Sequence, residues 1–362
     1  MADGTTDLAA LGWNARLDEA FTSHAAAGLV PARVALEHTH IYRVFTAEGE
    51  QLARVSGRLR HRAATRIDFP AVGDWVALEP PVHGGDARIL AVLPRVSRFS
   101  RRAAGDSTEE QIVAANIDTV FLVTGLDGDF NLRRIERYLV VAADSGARPV
   151  VVLNKADLVD DPSAAVDEVR PVAPGVDVHA VSTQQPETLD VLRQYLGFGQ
   201  TGALLGSSGV GKSSIVNQLI GQDLLRTREV RTSDSRGRHV STARQLVLLP
   251  GDGVVIDTPG MRELQLWETE SSIAGTFSDI EALAADCRFR DCQHRSEPGC
   301  AVRAAVEAGD IAPERMESFS KLAHEQDFQA RQKDQRAQIE QKRLGKIGSK
   351  ALHKRLKDKG RT

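Results

Sequence analysis

The chain has 362 residues, 41% hydrophobic and 26% charged, enough for two or three domains and a substantial buried core. No apolar run is long enough to span a bilayer, and the opening MADGTTDLAALGWN lacks the basic start and apolar stretch of a secretory signal. Three cysteines cannot form a complete disulfide set; together these features place the expectation in a reducing cytoplasm with no membrane contact, and a monomer is expected.

In chain order, residues 1–30 read as an N-terminal extension with one short helix around Leu11–Ala27, ended by Gly28. Residues 31–100 hold short strands, VALEH, IYRVF, QLARVSG, DWVAL and ARILAVL, separated by Gly, Pro and Asp turns. Such a series predicts a small closed β-barrel, with an OB-fold as the leading arrangement. Residues 53–67 carry Arg54, Arg58, Arg60, Arg62 and Arg66 without an acidic residue. That cluster fits either a face for a nucleic-acid backbone or arginines neutralising local carboxylates.

Over residues 101–275 strand and helix alternate, predicting an α/β domain with a mostly parallel sheet. TVFLVTG (119–125), RPVVVLN (148–154), VDVHAVS (176–182) and GALLG (202–206) are the strand runs. Asn131–Ala143 places Leu132, Ile135, Leu139 and Ala142 on one helical face. Residues 276–330 read as a mostly helical, cysteine-bearing domain. The tail 331–362 carries twelve Lys/Arg and three acids, a net +9 that leaves −12 on the rest of the chain. A basic tail on an acidic body suits contact with a polyanion such as RNA, or a solvated tail that aids solubility.

The chemistry sits in short motifs. Gly206, Ser207, Ser208, Gly209, Val210, Gly211, Lys212 and Ser213 match GxxxxGK[ST], after a strand and before the amphipathic helix Ser213–Ile220, with Ser214 following. Glycines let the backbone wrap phosphates so that amide hydrogens at a helix N-terminus face the anion. Lys212 would neutralise the β- and γ-phosphates and Ser213 would ligate magnesium. The apolar strand Val254–Ile256 delivers Asp257 of DTPG towards that magnesium, and the Gly260 amide can reach a γ-phosphate. Between them, in a polar loop, Thr242 is the candidate for the remaining magnesium hydroxyl, with Ser241 as the alternative.

Asn154, Lys155 and Asp157 form NKxD directly after an apolar strand. A carboxylate at 157 accepts from guanine's ring NH and exocyclic amine, a pair of donors that adenine does not present. Asn154 would pin the loop, the Lys155 stem would cover the base face, and Ser182 and Thr183 form the partner loop. The expected ligand is therefore GTP or GDP, and Asp157 opposes an ATPase reading. The motif order is unusual: NKAD, ST, phosphate loop, switch threonine, DTPG, a circular permutation of the Ras-like order. Finally, Cys287, Cys292, His294 and Cys300 occupy short loop spacings, as a closed tetrahedral zinc site requires. Four protein ligands leave no open position, so one structural Zn2+ is expected beside the Mg2+ that accompanies GTP.

These motifs closely resemble the bacterial ribosome small-subunit-dependent GTPase A family, from about Leu11 to Leu322. The likeness rests on LGWN (11–14), VSGRLR (55–60), PAVGDWV (70–76), RYLV (137–140), NKADL (154–158), GSSGVGKSS (206–214), GRH (237–239), DTPG (257–260) and the cysteine cluster. It implies an N-terminal OB-fold, a central permuted G domain and a C-terminal zinc domain. It also implies GTP hydrolysis stimulated by the small ribosomal subunit and its rRNA late in subunit maturation. One departure is Val240-Ser241-Thr242 where the family usually has consecutive threonines after GRH. Met261 stands where Ras-like enzymes commonly place a water-orienting glutamine, so His239 is the candidate to position water once the subunit orders its loop. The rival from another class is a non-catalytic, GTP-gated RNA-binding module.

Overall fold

The computed structural model describes residues 6–38, 41–81, 85–102, 110–221, 245–251, 253–257, 270–328 and 331. The first helix, α1 (Ala15–Ala26), starts later than its apolar pattern predicts. Gly12 has φ +91, which stops a helix from running through it, and Asn14 caps the true start by accepting from the Leu17 amide at 3.2 Å. Leu11 sits before this cap in a turn and is fully buried.

Five strands follow: β1 (Val30–His38), β2 (Ile41–Thr46), β3 (Gly49–Val55), β4 (Trp75–Glu79) and β5 (Ala87–Val92). They pair in the order β1-β2-β3-β5-β4, and β4 returns to β1, so the sheet closes on itself as a barrel. Only β3 and β5 run parallel within it. Inward-facing Ala32, Val34, Val44, Ala53, Val76 and Ile89 fill the lumen. The short helix α2 (Gly57–Arg62), capped by Ser56, leads out of β3. A hairpin that the strand pattern did not announce, β6 (Arg98–Arg102) with β7 (Glu110–Ala115), comes next and crosses residue 100.

The second half of the sheet contains β8 (Thr119–Gly125), β9 (Arg148–Asn154), β10 (Asp177–Ala180), β11 (Thr201–Gly206), β12 (Gln245–Leu248) and β13 (Val254–Asp257). The helices between them are α3 (Leu132–Ser145), α4 (Pro162–Val169), α5 (Asp190–Arg193) and α6 (Lys212–Ile220). β10 is shorter than the run VDVHAVS, and α6 begins one residue earlier than expected. Strand order is β10-β9-β8-β11-β13-β12, parallel except for β12. The later strand β11 thus inserts between β8 and β13, which is how a permuted chain rebuilds one sheet.

Barrel and parallel sheet meet through Leu36 of β1 opposite Gln245 of β12. Arg33, 1% exposed, holds the same seam. Its guanidinium donates to the carbonyls of Leu11, Gly73 (3.3 Å) and Asn116 (3.1 Å) and to the Thr201 hydroxyl (2.9 Å). Burial lowers its pKa to about 10, partly offset by Asp118 and Asp74, so it stays charged at neutral pH. Nearby, Arg95 bonds both oxygens of the fully buried Asp74 at 2.7 and 2.6 Å.

The chain divides into two compact units, residues 1–265 and 266–362. The second comprises α7 (Glu270–Thr276), α8 (Ser278–Ala284), α9 (Ala301–Ala308) and α10 (residues 313–328). Its core stacks Phe277 edge-on to Phe319 at 5.5 Å. Arg315 lies over Phe277 while gripping both oxygens of Asp279 at 2.7 Å.

Candidate functional site

Parallel pairing brings the carboxyl ends of β8, β9, β10, β11 and β13 to one edge, the usual ligand position of an open α/β sheet. At the end of β11 the backbone turns through Gly206, where a Cβ would lie 2.2 Å from the Val123 carbonyl. Gly209 and Gly211 adopt φ +82 and +95, a conformation that glycine reaches without strain. The loop delivers its amides to the N-terminus of α6, led by Lys212, Ser213 and Ser214. The Lys212 ammonium donates to the carbonyls of Gly206 (2.8 Å) and Ser207 (2.5 Å), spanning the loop. Asp257 ends β13; burial raises its carboxyl pKa, and the charge of Lys212 works in the opposite direction.

The base-side motif meets this loop directly. Asn154, 1% exposed at the end of β9, donates through Nδ2 to the Val210 carbonyl at 2.7 Å. The fit is tight enough that a Cβ on Gly211 would stand 2.2 Å from that nitrogen. Lys155 follows in the left-handed region, φ 64, and turns the chain so that Asp157 sits exposed on a short 3-10 turn, Ala156–Leu158. The buried Ser182 donates its hydroxyl to Asp157 Oδ1 and accepts from the Gln184 amide at 3.0 Å, so the loop containing Thr183 orients the carboxylate.

Three residues beside these motifs were not read from the sequence: Asp127 and Asp129 in the turn after β8, and Arg134 on α3. Asp127 binds the Lys155 ammonium at 2.5 Å, and that contact, followed by a smaller opposing effect of burial, holds its pKa below the usual carboxylate value. Asp129 pairs with Arg134, whose Nη1 also donates to the Ser207 hydroxyl at 2.8 Å. The only sequence signal for the two carboxylates is a polar GLDGD turn at the end of an apolar strand. Of the expected site residues, His239, Thr242 and Gly260 lie outside the described residues, as do Ser241 and Met261.

In the C-terminal unit, Cys287, Cys292, His294 and Cys300 place their ligand atoms all within 4.8 Å of one another. Cys287 Sγ is 3.9 Å from Cys300 Sγ, and His294 Nδ1 is 3.6 and 3.4 Å from the two sulfurs. Bond lengths of about 2.3 Å to sulfur and about 2.1 Å to nitrogen give tetrahedral edges of roughly 3.5–3.8 Å, so the cluster fits a zinc ion. Burial keeps the His294 pKa below its ordinary value, favouring the neutral imidazole that a metal needs. Cys300 also caps α9, its sulfur accepting from the Arg303 amide at 3.4 Å.

The arginines of residues 53–67 divide. Arg54 on β3 is ion-paired with Asp86, as the neutralising alternative requires. Arg58, Arg60 and Arg62 are exposed on α2, and Arg66 is exposed on the turn beyond it. Among the described residues no helix is long and apolar enough to cross a membrane.

Comparison with known proteins gives one consistent answer. The family described as RsgA GTPase matches residues 92–267. A protein of Opitutus terrae named small ribosomal subunit biogenesis GTPase RsgA is 50% identical over 336 residues, covering 90% of this chain and 92% of its own. One of Lactiplantibacillus plantarum, named small ribosomal subunit biogenesis GTPase RsgA 2, is 46% identical over 332 residues, covering 92% and 93%. The crystal structure of YjeQ from Thermotoga maritima superposes with a TM-score of 0.62 at 27% identity, covering 82% of this chain and 98% of that one. YloQ, a circularly permuted GTPase, shares the fold with a TM-score of 0.57 at 22% identity, over 85% and 96% of the two chains.

Proposed function

The chain belongs to the RsgA GTPase family, and from that we propose that it acts in maturation of the small ribosomal subunit, binding the subunit with GTP and leaving on hydrolysis to GDP and phosphate. The observation that carries the nucleotide site is the 2.7 Å bond from Asn154 to Val210, which joins the base motif to the phosphate loop across two strand ends. In this reading Asp157 reads guanine, Lys155 covers its face and Ser182 with Thr183 braces the carboxylate. The amides of residues 206–214 and the Lys212 ammonium take the phosphates. Ser213, Asp257 and Thr242 hold Mg2+, the Gly260 amide meets the γ-phosphate, and His239 positions water.

Cys287, Cys292, His294 and Cys300 hold one Zn2+ in a structural role, since all four positions of a tetrahedron are taken by protein. The proposed organisation keeps the order extension, OB-fold barrel, permuted G domain, zinc domain and basic tail. A cut at 100 would split β6 and one at 275 would split α7, so the barrel ends before β6 and the zinc domain takes in α7. Arg58, Arg60 and Arg62, exposed together on α2, offer the barrel's contact to rRNA phosphates. The protein works as a cytoplasmic monomer.

Turnover with and without purified small subunits tests this. The proposal expects slow intrinsic hydrolysis and at least tenfold stimulation, lost in His239→Ala while GTP still binds. Unchanged turnover with subunits present would favour a GTP-gated binding module instead.

A further inference from the structure

Ser207 occupies a position that the phosphate-loop pattern leaves open, so the motif assigns its side chain no work. In the fold it has two connections. Its carbonyl accepts from Lys212 at 2.5 Å, and its hydroxyl accepts from Arg134 at 2.8 Å. Arg134 stands on α3, 73 residues earlier in the chain, and does not reach the loop unaided. The same Nη1 donates to the Asp129 carboxylate and to the Asp129 carbonyl at 3.3 Å, so the guanidinium is anchored before it meets the serine. The result is an unbroken polar chain from Asp129 through Arg134 and Ser207 to Lys212. An exposed Arg–Asp pair on its own contributes little, because solvent screens it. Here the pair is two-thirds or more buried, with exposures of 34% and 24%, and ends on the phosphate loop.

The geometry matters because a second side chain ties the loop at its other end, Asn154 to the Val210 carbonyl at 2.7 Å. Ser208 and Gly209, between the two ties, are exposed. A loop fixed at both ends presents its amides without having to be ordered when the anion arrives, and such preorganisation appears as affinity.

We propose that Arg134 is a positioning residue for nucleotide phosphates: anchored by Asp129, it fixes Ser207 and so the entrance of the phosphate loop and the carbonyl that orients Lys212. This rests on the GTP reading above and deepens it. Arg134 acts through Ser207: a single terminal nitrogen, Nη1, faces both Asp129 and the serine hydroxyl.

The test is a double-mutant cycle in the full-length protein, using fluorescent GDP, a fluorescent non-hydrolysable GTP analogue and steady-state hydrolysis. Arg134→Ala and Ser207→Ala are each expected to weaken both nucleotides by about tenfold and to raise KM by the same factor, with kcat altered less than about twofold. The double variant is expected to be no worse than either single one, Arg134→Lys to recover part of the loss, and the nucleotide-free proteins to melt together. Unaltered affinity in Arg134→Ala, or losses that add fully in the double variant, would overturn the proposal while leaving the GTPase reading intact. A wild-type protein that binds neither nucleotide would remove the reading and this inference together.

Discussion

The cysteine cluster and the proposed nucleotide site gather their side chains by opposite means. The cluster draws all four ligands from residues 287–300, so chain connectivity alone brings its atoms within 4.8 Å. The nucleotide site draws on residues 127–257, and no two of its motifs would be near each other without the pairing of β8, β9, β11 and β13. A local site depends on its metal for order, because a loop of thiols has little else to hold it. A non-local site inherits order from a sheet that is stable without the ligand. The first should therefore fail all at once when a ligand is removed, and the second should fail by degrees.

The largest expected effect is on the local site. Cys300→Ser removes a proposed zinc ligand while leaving a hydroxyl that can still cap α9 by accepting from the Arg303 amide, so the metal is the only thing lost. Structural zinc contributes on the order of 10–16 kcal/mol to such folds, comparable to or more than the whole stability of a small unit, about 5–15 kcal/mol. Loss of the bound zinc and rapid proteolysis within residues 266–362 are expected, with metal content and cleavage mapping as the readouts. A variant that released zinc yet resisted protease would show that the helical core around Phe277 and Phe319 suffices, and the contrast would break.

Next in size is Asp157→Asn. In the proposed reading the carboxylate accepts two donors from guanine, and an amide in its place offers one acceptor and a donor that meets another donor. Affinity for GTP should fall by about a hundredfold, equivalent to about 3 kcal/mol for charged hydrogen bonds. A xanthine nucleotide, which has a carbonyl where guanine has its amine, should gain. Equal binding of both nucleotides before and after the change would mean that 157 does not read the base. The fold should survive, since Asp157 is exposed and its described partner is a single serine.

What the sequence made legible follows the same division. The cysteine spacing was enough, because ligand type and loop length are both written in the chain. The barrel strands and the parallel strands were legible from their alternation and apolar runs, and NKAD and GSSGVGKSS from residue type; of DTPG only Asp257 lies among the described residues. The props were not. Asp127, Asp129 and Arg134 look like solvated charges in GLDGDFNLRR, and only the pairing of β8 with both β9 and β11 sets them between the two motifs. Arg33 is harder still: a charged residue in a barrel strand reads as outward-facing, and its four acceptors come from segments as far apart as Leu11 and Thr201. Burying a cation there costs energy unless every donor is met, a condition visible only after folding.

Asn154→Ala separates affinity from base choice. It removes the bond to the Val210 carbonyl without touching Asp157 or Ser182. Leaving a buried carbonyl unpaired costs about 1–3 kcal/mol, so GTP and GDP should both bind about tenfold more weakly, with the preference for guanine over xanthine unchanged. Isothermal titration with the nucleotides separates the two quantities. A change in preference would mean that Asn154 positions the base loop more than the phosphate loop.

The smallest effect should come from Asp127→Asn. Asp127 steadies the Lys155 ammonium at 2.5 Å, but both side chains are about a quarter to a third exposed, so solvent screens the pair. A two- to threefold loss of affinity for either nucleotide is the order expected from a surface ion pair of about 0.5 kcal/mol. The pH dependence has a definite sign. Lys155 lowers the Asp127 pKa, so whatever the pair contributes is present above the unfolded carboxylate pKa and is lost only as pH falls through the lower folded value. The ratio of wild-type to variant affinity should then stay flat from about pH 8 down to about pH 5. A ratio that collapsed already between those limits would point to a different titrating partner for Lys155, and the site would be less like an inherited scaffold than the sheet implies.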